Sequence, residues 1–261
     1  MRMMIPRNFL AGAFLITLVG CATTSNTGEN IDPKSKAAEI NTQLGATYLS
    51  QGELELADEK LRRALKQNQS SATTHWVFAL LQERLGENEV AEKHFRKAVS
   101  LNPKDSKAHN NYGTFLCNQK RYREAEKEFL YAIENPLYAQ TGSAYANAGL
   151  CVSKIPDLVK AEEYFQQSLR INSSQRTALY QMAILSFGRE EYAQTANYIQ
   201  RYEKVAKHNS ESLWVAFQSS ANLGYEAKAN DYAEQLKKLF PSSKEARLLA
   251  ESYWYAGKSK Q

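Results

Sequence analysis

A single position that recurs about every 34 residues constrains the fold of this chain more than any other feature. It is occupied in turn by Ala57, Ala91, Ala125, Ala161, Thr195 and Ala229. The first three intervals are 34, 34 and 36 residues, and the later ones are again 34. Unrelated helices would not keep one phase through six copies, so the chain is built from repeats.

Two further positions keep the same phase. A bulky residue usually follows the recurring position by four residues: Leu61, Phe95, Phe129, Phe165 and Ile199, with Ala233 as the exception. A small residue usually precedes it by twelve: Gly45, Ala79, Gly113, Gly149 and Ala183, with Phe217 as the exception. Because two helices approach closely only where one of them presents Gly or Ala, the pattern predicts a helical hairpin in each repeat.

These motifs resemble the tetratricopeptide repeat. Six copies fit, at residues 38–71, 72–105, 106–139, 142–175, 176–209 and 210–243, and residues 244–261 are expected to form a capping helix and tail. The resemblance implies an all-α fold, a right-handed superhelical solenoid of six helix-turn-helix repeats. Since no single repeat buries its apolar face, the stack is the stable unit.

Residues 1–20 have the features of an export signal. Arg2 and Arg7 accompany a twelve-residue apolar segment, residues 9–20, which is too short to span a bilayer as a helix. Its ending, LVGC, resembles the bacterial lipoprotein signal, in which Cys21 is lipidated and becomes the first mature residue. Ala22 after the cysteine resembles the class sorted to the outer membrane. We therefore expect a lipid anchor on the periplasmic face, followed by a flexible tether over residues 21–37.

Composition and motifs argue against catalysis and nucleic-acid binding. The formal charge is only +5 and no cluster of basic residues stands out in the sequence. The four histidines, His75, His94, His109 and His208, have no metalloprotease spacing, and neither a phosphate-binding loop nor a nucleophile elbow occurs. We expect no enzyme activity, no metal, no cofactor, no small-molecule substrate and no nucleic-acid partner. His75 and His109 occupy equivalent repeat positions, which predicts a role in helix packing.

The two remaining cysteines lie in the first helices of repeats 3 and 4. Cys117 and Cys151 stand at repeat positions 12 and 10, and two residues along a helix rotate a side chain by about 200°. One thiol can therefore face the next repeat while the other faces back. Export places both in an oxidising compartment, so we expect a Cys117–Cys151 disulfide. The alternative is that they are two small buried side chains that merely lie near each other.

First helices of such repeats line the inner face of the solenoid, where a partner binds. The side chains expected to point into it are Trp76, Leu80, Asn110, Asn111, Thr114, Asn147, Leu150, Tyr180, Ile184, Phe187 and Trp214. Asn111 and Asn147 match the position where peptide-binding members of this repeat family often carry an asparagine, whose amide both donates to and accepts from a peptide backbone. Trp76 and Tyr180 suit apolar anchoring. The alternative for the aromatic residues is packing between neighbouring helices.

Repeat 1 offers a second surface because no repeat precedes it. Its first helix carries Ile40, Leu44, Tyr48 and Leu49. If exposed, this patch favours an amphipathic or strand-forming partner segment. The alternative is that the tether around Ile31 covers it.

The lipoprotein signal, the runs at 110–129 and 146–169 and the paired cysteines together resemble the PilF/PilW family of type IV pilus biogenesis lipoproteins. The resemblance implies a pilotin, which helps the secretin reach the outer membrane and assemble, and so supports pilus extension and twitching motility. The partner would be a secretin subunit or another pilus-assembly protein. The alternative is another periplasmic scaffold lipoprotein, for outer-membrane assembly or peptidoglycan hydrolases, since fold alone does not separate the two.

Overall fold

The computed structural model describes residues 32–155 and 157–258, with side chains described as far as residue 251. This part of the chain forms thirteen helices: α1 (Pro33–Gln51), α2 (Leu54–Gln67), α3 (Ala72–Arg84), α4 (Asn88–Leu101), α5 (Ser106–Asn118), α6 (Tyr122–Ile133), α7 (Thr141–Val152), α8 (Leu158–Ile171), α9 (Arg176–Gly188), α10 (Tyr192–Glu203), α11 (Ser210–Asn222), α12 (Glu226–Leu239) and α13 (Lys244–Lys258). Six hairpins and one closing helix confirm the predicted all-α solenoid. The expected signal sequence, Cys21 and the stretch around Ile31 lie outside the described residues.

Helix α1 begins at Pro33, so residues 33–37, which were expected to belong to the tether of residues 21–37, are helical. The carboxylate of Asp32 accepts a hydrogen bond from the backbone N–H of Lys34, and Pro33 occupies the first helical position. Both residue types favour a helix start, because the first N–H groups have no partner within the helix. The repeat pattern alone does not detect this extra turn.

The contacts between helices show which helices lie on the inner side of the stack and which on the outer side. Each first helix contacts the first helix of the next repeat, as in α1 with α3 and α3 with α5, and each second helix contacts only first helices and α13. The first helices are therefore closer together than the second helices. They line the inner side of the stack, as expected from the sequence, and the second helices form its outer side.

Small residues on the first helices make room for large ones on the second helices. A Cβ atom added at Gly45 would lie 2.5 Å from Leu61 Cγ, and at Gly113 it would lie 2.9 Å from the Phe129 ring. At Gly149 it would lie 2.6 Å from Phe165 Cε1. These distances are shorter than a carbon–carbon contact allows, so glycine is required by the close approach of the two helices.

Repeat 6 reverses this arrangement. The two exceptions to the sequence pattern, Phe217 on α11 and Ala233 on α12, belong to one apolar cluster. The large residue has moved to the first helix and the small one to the second, so each exception compensates for the other. Leu249 of α13 completes this cluster and closes the C-terminal end.

In five of the six hairpins the turn contains one described residue with a left-handed backbone. Gly52, Gly86 and Gly224 hold it in repeats 1, 2 and 6 with φ between 73° and 86°. Lys120 and Glu190 hold it in repeats 3 and 5, with φ of 61° and 60°. Because a side chain disfavours this conformation, these two residues keep the turn at a cost in stability.

Candidate protein-binding surface

The strongest candidate site is an apolar groove on the inner face between α1 and α3. Its volume is about 560 Å³, and its lining residues are Ala46, Leu49, Ser50, Trp76, Val77, Leu80, Glu83 and Arg84. Trp76 and Leu80 were expected on the inner face, whereas Ala46, Val77 and the polar end formed by Glu83 and Arg84 were not. The groove depends on how α1 and α3 sit side by side, and repeat positions within one helix do not reveal that.

The polar end of this groove is held in place by neighbouring repeats. Arg84 Nη1 donates to the backbone oxygen of Leu49 at 3.0 Å, and Asn118 Nδ2 donates to Glu83 Oε1 at 2.9 Å. Both charged side chains are thus positioned before any partner arrives. A groove with apolar walls and one fixed polar end suits a peptide segment that inserts apolar side chains.

The exposed face of α1 is a second candidate. Ile40 and Leu44 are 50% and 41% exposed, while Tyr48 is half-buried. In every later repeat the positions equivalent to Ile40 and Leu44 are buried, as with Ala108 and Tyr112. A preceding hairpin covers them there, and repeat 1 has none in the described chain. Leu49 differs from the expected patch because it is buried against α2 and α3.

The predicted asparagines play unequal roles. Asn147 Nδ2 donates to Asn110 Oδ1 at 3.1 Å, which ties α7 to α5. Thr114 is exposed, and its hydroxyl donates to the backbone oxygen of Asn110 at 3.0 Å within the same helix. The half-buried amide of Asn111 makes no hydrogen bond to any residue that the structure describes. Asn111 is therefore the asparagine best placed to meet a peptide backbone.

Farther along the inner face, the candidate aromatic residues contact their own neighbours. The Tyr180 hydroxyl donates to the Glu211 carboxylate, and burial together with that hydrogen bond raises the pKa of Tyr180. The Phe187 ring lies 6.1 Å from that of Tyr192. The Trp214 ring lies 5.6 Å from that of Phe217. These three residues thus follow the packing alternative, although all remain half-buried.

Two aliphatic candidates complete the inner face. Leu150 packs against the main core formed by repeats 2–5, and Ile184 packs against a smaller cluster between α9, α10 and α11. Both are half-buried. Both therefore pack in the same way as the aromatic candidates, and the lining of the apolar groove comes from α1 and α3 alone.

Cys117 of α5 and Cys151 of α7 are joined by a disulfide, with Cα atoms 5.7 Å apart. The bond closes an interval of 34 residues and links repeats 3 and 4 directly. It lies just beyond the asparagines of the inner face. Such a cross-link limits how far these two repeats can separate, and the hydrogen bond between Asn147 and Asn110 joins the same two helices.

The equivalent histidines anchor the loops between repeats. Nε2 of His75 lies 3.0 Å from the backbone oxygen of Gln69, and Nε2 of His109 lies 3.0 Å from that of Pro103. On the opposite ring nitrogen His75 meets His94 at 2.9 Å, while His109 meets Glu128 at 2.6 Å. The helix-packing role predicted for both histidines agrees with these contacts.

The pKa values of His94, which is the partner of His75, and of His109 are shifted in opposite directions. Burial, followed by the charges of His75, Lys93 and Arg62, lowers the pKa of His94 to about 4. Burial also opposes the charged form of His109, but the hydrogen bond and charge of Glu128 outweigh it and raise the pKa of His109. Lys93 and Arg62 thus add positive charge near His94, whereas Glu128 occupies the equivalent position one repeat later with a negative charge.

Within the described ranges, no three His, Cys, Asp or Glu side chains come together as a metal-ion site. None of the described helices combines the length and apolar character needed to cross a bilayer.

Comparison with known proteins agrees with this architecture. Family models described as tetratricopeptide repeat match residues 42–106 and 94–127. The type IV pilus assembly protein PilF of Pseudomonas aeruginosa is 32% identical over 244 residues, which cover 93% of this chain and 97% of that protein. The solved structure of Pseudomonas aeruginosa PilF superposes with a TM-score of 0.80 at 32% identity, covering 84% of this chain and 99% of that one. The crystal structure of PilW, a type IV pilus biogenesis factor, gives a TM-score of 0.71 at 27% identity, covering 82% and 98%.

Fold and inner face together define a tetratricopeptide-repeat protein whose surface serves protein–protein interaction. Because the relation to PilF extends over nearly the whole length of both chains, the chain belongs to the PilF family of type IV pilus biogenesis proteins.

Proposed function

We propose that this chain is a pilotin, an outer-membrane lipoprotein adaptor that brings the secretin of the type IV pilus to the membrane and supports its assembly. It acts by binding rather than by catalysis. Cys21 carries the lipid anchor, and a segment of the secretin subunit occupies the inner face. The anchor raises the effective concentration of the weakly bound partner at the membrane.

The apolar groove between α1 and α3 carries this proposal. Burial of apolar surface is the main favourable term in most protein–protein association, and Trp76 provides the kind of large side chain that dominates such interfaces. Arg84 and Glu83 are held in place at one end of the groove, where they can fix the direction in which a bound segment lies. The exposed Ile40 and Leu44 of α1 offer a further apolar contact in repeat 1.

The free amide of Asn111 extends the site into repeat 3. An extended peptide that leaves the groove toward α5 would meet this amide, which can donate to a carbonyl and accept from an N–H group. The partner best suited to the whole surface is therefore a short segment with apolar anchors at one end and an extended backbone at the other.

Deleting the gene tests the role directly. We expect loss of the heat-resistant secretin multimers and of surface pili in the deletion strain. Normal multimers with normal pili would refute the pilotin role and favour the alternative of another envelope scaffold.

Two tryptophans offer a matched pair for locating the binding site. Trp76 and Trp214 occupy the same repeat position, fifteen residues before Ala91 and Ala229. Both pack against apolar clusters, Trp76 between repeats and Trp214 on Phe217, but of the two only Trp76 lines the groove. Complementation with Trp76→Ala should give few secretin multimers and Trp214→Ala near-normal amounts, with thermal unfolding recorded for both proteins. Equal multimer levels in two folded variants would place the partner elsewhere.

The anchor has its own test. A Cys21→Ser variant should leave the membrane fraction and accumulate in the periplasm, because the acyl chains provide the membrane affinity. Retention of this variant in the outer-membrane fraction would refute lipid anchoring at Cys21 while leaving the groove test intact.

A further inference from the structure

The outer side of repeats 1 and 2 carries a concentration of cations that the sequence alone does not reveal. The six exposed side chains, here called the basic outer face, are Arg62, Arg63 and Lys66 of α2 and Lys93, Arg96 and Lys97 of α4. Neither residues 60–67 nor residues 93–101 contain an acid. Cations that are about 34 residues apart in sequence come together because successive second helices keep the repeat phase.

Part of this charge has no counter-ion. Arg62 pairs with Asp58, Arg63 with Glu59, and Arg96 with Glu92, all toward the N-terminal halves of the same helices. Lys66, Lys93 and Lys97 form no ion pair with any described residue. The low pKa of His94, caused by burial and then by His75, Lys93 and Arg62, is consistent with a positive field on this face.

A shallow groove of about 330 Å³ runs through the face between α2 and α4. It is lined by Leu65, Lys66, Gln69, His75, His94 and Lys97. Lys66 of α2 and Lys97 of α4 thus line the same depression. Ammonium groups bind phosphate as point charges, without the fixed geometry that a protein partner would demand.

In repeat 3, apolar residues occupy two of the repeat positions that carry cations in repeats 1 and 2. Leu130 occupies the position of Arg62 and Arg96, and Tyr131 that of Arg63 and Lys97; they are 41% and 52% exposed. In repeat 4 the equivalents are Gln166 and Gln167. Cations followed by exposed Leu and Tyr are the composition of surfaces that lie in a membrane interface.

The start of the described chain lies at the edge of this face. Asn41 of α1 donates to Gln67 Oε1 at 2.9 Å, and Asn68 donates to Ser35 Oγ at 3.4 Å. The first turns of α1 are therefore adjacent to the C-terminal end of α2, which carries Lys66. Asp32 is eleven residues after Cys21, and that many residues reach no farther than about 40 Å. A lipid at Cys21 thus limits the distance between the bilayer and the start of α1, which adjoins the basic outer face, to about 40 Å.

We propose that the basic outer face lies against the bilayer and binds the phosphate-bearing headgroups of anionic phospholipids. The proposal builds on the proposed anchor. With the outer side of repeats 1 and 2 on the membrane, the apolar groove of the inner face points away from it, toward an incoming partner.

The test is lysine footprinting of the full-length protein on nanodiscs of phosphatidylcholine, with and without phosphatidylglycerol. A water-soluble amine-acylating reagent reports the reactivity of each lysine by mass spectrometry. We expect Lys66, Lys93 and Lys97 to react roughly fivefold more slowly on discs with phosphatidylglycerol, and high salt to remove that protection. Lys107 and Lys238 serve as control lysines and should react equally on both discs.

Each other outcome overturns the proposal in a recognisable way. Binding to both kinds of disc with unchanged reactivity at the three lysines refutes the lipid contact but leaves the anchor standing. Binding to neither kind refutes both. Protection of the same lysines by polyglutamate, with none from phosphatidylglycerol, assigns the face to an acidic protein segment instead.

A charge-reversal pair provides a second readout. The double variant Lys66→Glu/Lys97→Glu should lose the phosphatidylglycerol-dependent protection of Lys93. Lys238→Glu/Lys244→Glu, which reverses two exposed lysines at the other end of the solenoid, should keep it. Equal protection of Lys93 in both variants would contradict the proposal, and the wild-type footprint decides the matter if the first variant does not fold.

Discussion

In repeats 2, 3 and 4 a phenylalanine on the second helix fills the space beside Ala79, Gly113 or Gly149, whereas repeats 5 and 6 use other solutions. Repeat 5 pairs Ala183 with the smaller Ile199 and buries a hydrogen bond between Ser186 and Thr195 hydroxyls, 3.0 Å apart. Repeat 6 exchanges the large and small positions. The same backbone plan therefore has two kinds of core.

The contacts between repeats differ in the same way. A glutamate one residue after the recurring position pairs with a cation of the next repeat: Glu92 with Arg121 at 2.7 Å, Glu126 with Lys160 at 2.6 Å, and Glu162 with Arg189. In repeat 5 this position is Ala196, so the series stops. The disulfide also lies within the first group, between repeats 3 and 4. We infer that repeats 2–4 form a rigid centre and that repeats 5–6 separate more easily.

The largest effect is expected from truncating the core residue in each region. Phe165→Ala should destabilise the protein by about 3–5 kcal/mol and Ile199→Ala by about 2–4 kcal/mol, because the larger side chain leaves the larger cavity. Guanidinium unfolding measures the change in the free energy of unfolding of each variant, and hydrogen exchange shows which helices lose protection. Fast exchange confined to α9–α12 in Ile199→Ala would support two separable regions, and uniform exchange across the chain would contradict them.

Reducing the disulfide should have the next largest effect. The chain-entropy relation for an interval of 34 residues gives about 3–4 kcal/mol. A Cys117→Ser/Cys151→Ser variant should unfold at lower denaturant, with the loss measured in repeats 3 and 4. Two thiols titratable in denatured protein without reductant, together with an unchanged midpoint on reduction, would show that no bond stabilises the centre.

A smaller effect distinguishes two glycines of α7. Gly149→Ala brings a methyl group against Phe165 and should cost about 1–2 kcal/mol, because overpacking exceeds the gain in helix propensity. Gly142→Ala meets its nearest atom at 3.4 Å, an ordinary contact, and should stabilise by up to about 1 kcal/mol. The opposite signs can be read from thermal or chemical unfolding. Equal effects would contradict a close approach of α7 to Phe165 that is specific to Gly149.

The smallest effect should be the same in both regions. Lys120→Gly and Glu190→Gly relieve a left-handed side-chain conformation in repeats 3 and 5, and each should gain about 0.5–1 kcal/mol. Matched gains would show that the turn is common to both regions and that only the packing differs. A gain in one variant and a loss in the other would contradict the shared turn.

Much of the fold could be predicted because its cause is local. A small residue on one helix and a large one four residues after the recurring position recur in repeats 1–5, so their phase predicts the repeats, and the segment that follows the sixth copy was expected to form the closing helix. The start of α1 was missed because it depends on Asp32 and Pro33, which lie before the first repeat. The exchange in repeat 6 appeared as two separate exceptions, since sequence spacing does not show that Phe217 and Ala233 share a cluster.

The sites were harder to predict because they combine residues from different repeats. Trp76 and Leu80 were expected on the inner face, but the groove also needs Ala46 and Leu49 from α1. Tyr180 and Trp214 have the same repeat position as Trp76, yet their neighbours Glu211 and Phe217 engage them in packing. The basic outer face was missed for a related reason, since its cations come from two helices separated by a whole repeat.

Photocrosslinking in living cells tests the central claim most directly. A photoreactive amino acid replaces Trp76 in one strain and Trp214 in another, in proteins that still support secretin assembly. We predict a crosslink to the secretin subunit from position 76 and none from position 214. A crosslink from position 214 alone, in cells where both proteins function, would contradict a binding site in repeats 1 and 2.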